Sequence, residues 1–156
     1  MALPLWLLDT TVLIALISGK ALGQYIDATY QLRASPIRPL ACIVSHGELW
    51  ALARVNNFGE AKRAAIATML ANVVTVDISD ESVVEAYVEV YAALRGAPGG
   101  SRTNVGENDL WIAAATRATA ATLLTTDADF DPLFPGVIQR VYISRAMRLP
   151  GVQGSS

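Results

Sequence analysis

Cysteine, charged residues and long charge-free runs are scarce or absent in this sequence, and each scarcity argues against a class of protein. Cys42 is the only cysteine, so no internal disulfide framework is possible and a reducing compartment is the simpler setting. The apolar start, LPLWLLDTTVLIALISG, has no basic segment before it and carries Asp9 in its middle, which argues against a signal peptide. No charge-free run reaches the ~20 residues that a membrane span needs. We therefore expect a cytoplasmic protein without a membrane span.

Charged residues are also few. Asp, Glu, Lys and Arg make up 17% of the 156 residues, and 14 acids against 12 bases leave a net charge of −2. A chain of this charge is not a general binder of polyanions, so any contact with nucleic acid must depend on a local basic patch or a metal ion. Hydrophobic residues reach 53%, which predicts a thick core or a sizeable partner interface.

Apolar strand-like segments alternate with segments of helical pattern. Thr10 or Thr11 is expected to cap a first short helix, and residues 20–34 have the spacing of an amphipathic helix. Ser45 and Glu48 match a capping box, which predicts a helix that begins at Ser45. Further helices are predicted over residues 58–73, 80–95 and 107–119. The predicted strands are LPLWLLD, LACIVS, VVTVDIS, ATLLTTD and GVIQRVYIS.

These strands are apolar throughout, which is typical of a parallel sheet covered on both faces. The pattern predicts an α/β/α sandwich with a central, mainly parallel sheet of four to five strands. The length suits one domain, which we assign to residues 1–147. Residues 148–156, ending in GVQGSS, contain no core-forming pattern, and we expect this tail to be frayed or to derive from an expression vector.

Four acids stand out because of where the predicted elements place them. Asp9 and Asp127 end the first and fourth strands, and Glu48 lies in the first turn of the helix after the second strand. Ligands of parallel sheets gather outside the carboxyl ends of the strands, where these residues fall. Asp109, at the start of the helix that enters the fourth strand, joins them only if the Gly-rich loop 96–106 carries the chain back over the strand ends.

Carboxylates brought together repel one another unless a cation neutralises them. A set of oxygen ligands without cysteine or several histidines suits Mg²⁺ or Mn²⁺, which support phosphodiester hydrolysis. A structural interpretation is also open, because acids at helix starts are ordinarily caps and TDADFD is also typical of a solvated turn. A buried carboxylate at the end of an apolar strand, such as Asp9, needs a partner in either case.

The segments LLDTTVLIAL, SHGELWALA, ENDLWIAAAT and LLTTDADF, in this order and spacing, resemble the four motifs of PIN-domain ribonucleases. The similarity is greatest to the VapC toxins of bacterial type II toxin–antitoxin systems, and it extends over about residues 5–145. Position by position, the resemblance assigns the four metal-binding catalytic acids to Asp9, Glu48, Asp109 and Asp127, and it places them in one pocket. Asp129 is near enough to replace Asp127 or to share its role. Less central positions are Thr11, beside the first acid, Thr125, which would orient a carboxylate or water, and Asn108, a cap or rim ligand.

The resemblance implies a Mg²⁺- or Mn²⁺-dependent endoribonuclease that cuts single-stranded RNA, acts as a toxin, forms a homodimer and is silenced by a VapB-like antitoxin. Apolar helix surface within residues 20–70 is a candidate groove for that partner. The candidates for contact with RNA phosphates are Arg95, Arg102 and Arg117, although solvated helix-end charge explains them equally well.

Three other functions stay open. A PIN-like module that binds RNA or protein without cleaving it, or a PIN nuclease in RNA processing, would have much the same sequence. A phosphatase with a nucleophilic aspartate is less compatible, because such enzymes have D-x-D where this chain has Asp9-Thr10-Thr11.

Overall fold

The computed structural model describes residues 2–95 and 105–151 of the chain. Its centre is a sheet of five short strands, all parallel to their neighbours, in the order β3-β2-β1-β4-β5. The predicted α/β/α architecture is confirmed. The strands are β1 (Trp6–Leu8), β2 (Leu40–Cys42), β3 (Val74–Val76), β4 (Thr122–Thr125) and β5 (Gln139–Tyr142).

Helices cover both faces of this sheet because its central strands have apolar side chains on both sides. The helices are α1 (Thr10–Ser18), α2 (Ala21–Tyr30), α3 (Ile43–Val55), α4 (Glu60–Ala71), α5 (Glu81–Arg95) and α6 (Glu107–Thr119), and a 3₁₀ helix spans Ala128–Leu133. Leu8 and Leu124 pack with α1 to α4 on one face, while Leu7 and Leu123 pack mainly with α5 and α6 on the other.

The first two helices pack unusually closely where they cross. Gly23 of α2 lies against the backbone of α1, and a Cβ at this position would come within 2.2 Å of the Ala15 carbonyl oxygen. Gly19 ends α1 with a left-handed φ of 64°, which glycine adopts without strain. The chain therefore turns directly after α1, whose start follows β1 at the carboxyl edge of the sheet.

Asp109, at the start of α6, lies at the carboxyl edge of the sheet. One of its carboxylate oxygens is within 4.8 Å of one from Asp127, which follows the end of β4. Helix α6 ends at Thr119 and β4 begins at Thr122, so the helix runs from the carboxyl edge back to the edge where β4 starts. It packs against α5, where the Tyr87 hydroxyl donates to Glu107 at 2.9 Å and Arg117 pairs with Glu89 at 2.6 Å.

The structure corrects the predicted start of α3. The helix begins at Ile43, directly after a strand that ends at Cys42, and Ser45 lies inside it instead of capping it. The capping-box prediction is wrong because the Ser45 hydroxyl is buried against Thr10, at 2.8 Å between the two oxygens. A tertiary contact thus overrides the local pattern.

Two other predicted boundaries move. Asp9, and neither Thr10 nor Thr11, caps α1, and its side chain accepts the Thr10 amide. The helix predicted over residues 20–34 ends at Tyr30, where Gln31 adopts a left-handed conformation.

Arg102, most of the Gly-rich loop and the last five residues of the tail lie outside the described residues. Within residues 2–95 and 105–151, no helix combines the length and apolar character that crossing a bilayer requires.

Candidate active site

Asp9 occupies the junction between β1 and α1 at the carboxyl edge of the sheet. Its residue surface is 2% exposed, and its carboxylate accepts three hydrogen bonds. The Thr10 amide donates to Oδ1 at 2.8 Å, while the hydroxyls of Thr11 and Thr125 donate to Oδ2 at 2.8 and 2.7 Å. The buried carboxylate that the sequence indicated thus has its partners, one of which comes from the neighbouring strand β4.

Glu48 is held beside Asp9 by a hydroxyl network. The Thr10 hydroxyl donates to Glu48 Oε1 at 2.8 Å and lies 2.8 Å from the Ser45 hydroxyl, which is fully buried. Glu48 is two residues along α3 from His46, whose ring contacts the Thr75 hydroxyl at 3.0 Å instead. Thr10 therefore links the first and second acids of the site.

Asp109, Asp127 and Asp129 form the other part of the cluster. One carboxylate oxygen from each lies within 4.8 Å of the other two, which is close enough for three groups to share one ion. Asp127 follows β4, where its amide donates to the Thr125 hydroxyl at 2.9 Å, and its side chain caps the 3₁₀ helix by accepting the Asp129 amide at 2.9 Å. Both Asp127 and Asp129 therefore lie at the site.

The pKa values show that the two parts belong to one electrostatic unit. Burial, followed by the charges of Asp9, Asp127 and Glu48, raises the pKa of Asp109 from 3.8 to about 7, against a lowering by a backbone hydrogen bond with Gly106. Burial also raises the pKa of Asp9, against the lowering effect of its three hydrogen bonds. Asp109 thus experiences the charge of all three of the other predicted catalytic acids.

These side chains fit a hard divalent cation. The donors are carboxylate and hydroxyl oxygens, the ligand type that Mg²⁺ and Mn²⁺ prefer. None of the three ion pairs in the described part of the chain involves a cluster acid, so no Lys or Arg there neutralises the group through a salt bridge. A bound cation would supply the missing positive charge.

The remaining predicted positions lie farther out. Asn108 is exposed beside Asp109, and Glu107 accepts the Tyr87 hydroxyl. The Arg117 guanidinium is occupied by Glu89 and by the Val137 carbonyl at 2.8 Å. Arg95 is exposed at the end of α5, with its guanidinium 5.1 Å from the centre of the Tyr91 ring.

Sequence reasoning missed two members of the network, Thr10 and Ser45. Both were interpreted as helix caps, because a hydroxyl residue beside a helix start has that role most often. The sequence did contain a signal for Thr10. Because Asp9 itself caps α1, the Thr10 hydroxyl is not needed as a cap and is free to make another contact.

The comparisons with known proteins agree with this geometry. The family model of the PIN domain matches residues 6–133. The chain therefore belongs to the PIN-domain family. Ribonuclease VapC5 of Mycobacterium tuberculosis is 31% identical over 128 residues, which cover 81% of this chain and 85% of that protein. The predicted resemblance to the VapC branch is thereby confirmed.

Solved structures show the same fold. A chain of VapBC2 from Rickettsia felis, crystallised with a fragment of promoter DNA, superposes with a TM-score of 0.72 at 18% identity, covering 88% of this chain and 98% of that one. A chain of VapBC-5 from Mycobacterium tuberculosis gives a TM-score of 0.62 at 24% identity, covering 90% and 100% of the two chains.

Proposed function

We propose that this protein is a divalent-metal-dependent endoribonuclease that hydrolyses phosphodiester bonds of single-stranded RNA and acts as a VapC-type toxin in the cytoplasm. The observation that carries the proposal is the convergence of Asp9, Glu48, Asp109 and Asp127 at one edge of the sheet, without an ion-paired cation among the described residues. The VapC5 ribonuclease, 31% identical, supports the same activity.

The four acids would hold Mg²⁺ or Mn²⁺, with Asp129 as a further ligand or a substitute for Asp127. Bound there, the cation would activate water and stabilise the negative charge that develops on the scissile phosphate. The protein's own part is to fix the carboxylates before the metal arrives. Hydroxyls of Thr11 and Thr125 hold Asp9 and counteract the rise in its pKa, and Thr10 orients Glu48.

The described arginine candidates for contact with RNA phosphates lie at the C-terminal ends of α5 and α6. These ends point away from the edge where the acids gather, so the arginines would contact RNA outside the cleavage site. Arg95 is the described arginine that best suits this role, since it is exposed and has no carboxylate partner among the ion pairs of the described residues. Arg117 is a weaker candidate because Glu89 and the Val137 carbonyl already bind its guanidinium. Arg102 is a candidate from its position in the sequence beside the Gly-rich loop, and it lies outside the described residues.

A VapB-like antitoxin would bind on the other side of the molecule. A cavity of about 680 Å³ lies between the C-terminal halves of α1 and α4 and the segment before β2, with Leu16, Leu32 and Met69 among its apolar lining residues. It falls largely within the residue 20–70 surface indicated by the sequence. The similar solved structures are those of VapBC toxin–antitoxin systems, which supports such a partner.

A homodimer is the proposed assembly of the toxin. Val84, Val88 and Tyr91 are exposed at helical spacing along α5, which is the pattern of a helix face that packs on a partner. A Val88→Arg variant is expected to elute as a monomer in size-exclusion chromatography with light scattering. A wild-type monomer at micromolar concentration would contradict the proposal.

The test of function is cleavage of total bacterial RNA by the purified protein with Mg²⁺, Mn²⁺ or EDTA. We expect discrete cuts that need the metal and disappear in the Asp9→Asn/Asp109→Asn double variant. Glu85→Gln, which removes an exposed acid of α5 that is not among the charges acting on Asp109, is the control and is expected to cut normally.

Cuts that survive the double substitution would contradict the four-acid site. RNA binding without cleavage by a metal-loaded, antitoxin-free preparation would favour a PIN-like binding module. Cleavage confined to precursor RNA, without growth inhibition on expression, would favour RNA processing over a toxin.

A further inference from the structure

Two exposed aromatic rings flank a largely buried arginine beside the edge strand β5. The Arg140 guanidinium lies 4.8 Å from the centre of the Phe134 ring and 5.9 Å from that of Tyr142, within the range of cation–π attraction. Phe134 is 40% exposed and Tyr142 is 45% exposed, whereas the Arg140 side chain is only 16% exposed. The cation is covered while much of the ring surface is open to solvent.

Packing alone gives no reason for an arginine at this position. Its Nη2 pairs with Asp131 Oδ1 at 2.7 Å and so ties β5 to the 3₁₀ helix. Its Nε is buried and has no hydrogen-bond partner among the described residues. A buried donor without a partner opposes folding, so an aliphatic residue would suit a purely structural role better. Arg140 instead provides a positively charged group that is held in place beside the Phe134 and Tyr142 rings.

Tyr142 lies beside the strand that ends at the acid cluster. It is paired in register with Thr125 of β4, one strand spacing of ~4.8 Å away. Thr125 is the residue whose hydroxyl donates to Asp9. Arg140 and Tyr142 are two residues apart and so point to the same face of the sheet, the face on which Leu123, the register partner of Arg140, packs with α6.

The local charge selects the kind of ligand that fits this surface. Asp131 compensates Arg140, so this guanidinium has no net charge left to attract a phosphate group. A neutral planar group needs no such charge, and nucleobases stack on aromatic side chains in single-stranded nucleic acid complexes. We propose that Phe134 and Tyr142, held by Arg140, form a base-stacking subsite for an unpaired nucleotide next to the scissile bond. The subsite rests on the proposed RNA cleavage.

The test is steady-state cleavage of a single-stranded RNA oligonucleotide that the wild-type protein cuts, with Mg²⁺ present. We expect Phe134→Leu and Tyr142→Leu each to raise KM by roughly five- to 100-fold, the range of one lost base stack, with kcat within about threefold. Tyr142→Phe and Phe134→Tyr keep the ring and are expected to stay within about twofold of wild type. Thermal unfolding checks that all four variants are folded.

Two further measurements separate stacking from charge. The salt dependence of KM is expected to be unchanged in Tyr142→Leu, because no phosphate contact is lost. Inhibition by an abasic ribose-phosphate oligonucleotide is expected to be the same for wild type and Tyr142→Leu, while a base-bearing DNA competitor inhibits the variant less.

The possible failures are distinguishable. A wild-type protein that cuts no RNA would overturn the proposed function, and the subsite with it. A wild-type protein that cuts RNA, with KM unchanged in both leucine variants, would overturn the subsite alone. Leucine variants that cleave normally but escape inhibition by a co-expressed antitoxin would assign the rings to a protein contact and overturn the subsite.

Discussion

At the junction of β1 and α1, the Asp9 carboxylate accepts three hydrogen bonds and is almost fully buried, whereas at the start of α6 the half-buried Asp109 is surrounded by other carboxylates. Both pKa values are raised, and burial is the leading cause in each case. The two residues differ in the hydrogen bonds that oppose the rise in pKa. At Asp9, hydroxyl and amide groups donate to the carboxylate, whereas at Asp109 the opposing contribution is a backbone hydrogen bond with Gly106. The β1–α1 side therefore holds its carboxylate through hydrogen bonds, whereas we propose that the α6 side depends on a bound cation.

The largest expected effect on stability separates the two sides directly. Asp9→Ala removes the cap of α1 and leaves the hydroxyls of Thr11 and Thr125 without their acceptor, so we expect a loss of about 2–4 kcal/mol. Asp109→Ala removes a repelled charge and is expected to cost little or to stabilise the metal-free protein. Urea unfolding in EDTA at pH 8 measures both, and equal losses in the two variants would contradict the contrast.

The pH dependence of stability provides a second test of the α6 side. A folded-state pKa of about 7, against an ordinary value of 3.8, means that the folded protein binds the Asp109 proton more tightly than the unfolded chain. Stability from this group is therefore present below about pH 4 and is lost as the pH rises towards about 7. The raised pKa of Asp9 acts in the same direction.

Comparing variants isolates the contribution of Asp109. In EDTA, Asp109→Asn is expected to gain stability relative to wild type as the pH rises from 4 to 7, with no further gain above pH 8. Glu85→Gln should follow the wild-type curve. The difference in unfolding free energy between Asp109→Asn and wild type could instead be constant across this range. That result would show that the charges of Asp9, Asp127 and Glu48 do not destabilise the ionised Asp109.

The smallest effect concerns the link between the two sides through Glu48. Thr10→Val keeps the shape of the side chain but removes the hydroxyl that donates to Glu48 and contacts Ser45. Loss of one hydrogen bond to a charged group is expected to lower kcat/KM for RNA cleavage by roughly tenfold. Thr10→Ser retains the hydroxyl and should recover most of the activity. An equal loss of activity in Thr10→Val and Thr10→Ser would indicate that Thr10 acts through packing and does not position Glu48.

The sequence was sufficient to predict those parts of the fold and site that depend on local patterns of apolar and polar residues. Apolar runs ending in Asp9 and Asp127 predicted parallel strands with acids at one edge, and the structure places both at that edge. The start of α3 was not predictable, because Ser45 and Glu48 satisfy a local capping pattern while the structure uses both in contacts with Thr10, 35 and 38 residues away. Periodicity carries no information on contacts of that separation.

Asp109 illustrates the same limit from another direction. Its helix was predicted, but pattern alone left open which end of the sheet that helix starts from. The answer depends on a tertiary contact, the approach of the Asp109 carboxylate to those of Asp127 and Asp129. The resemblance to PIN domains supplied what the local residues could not.

The most direct measurement is Mn²⁺ binding by calorimetric titration at pH 7.5 to the wild-type protein, to the Asp9→Asn and Asp109→Asn variants, and to Glu85→Gln as the control. If the two sides form one metal site, wild type and Glu85→Gln bind alike, and each aspartate substitution weakens binding at least about tenfold. Unchanged Mn²⁺ affinity in both aspartate variants would contradict the central claim that these carboxylates hold the catalytic metal.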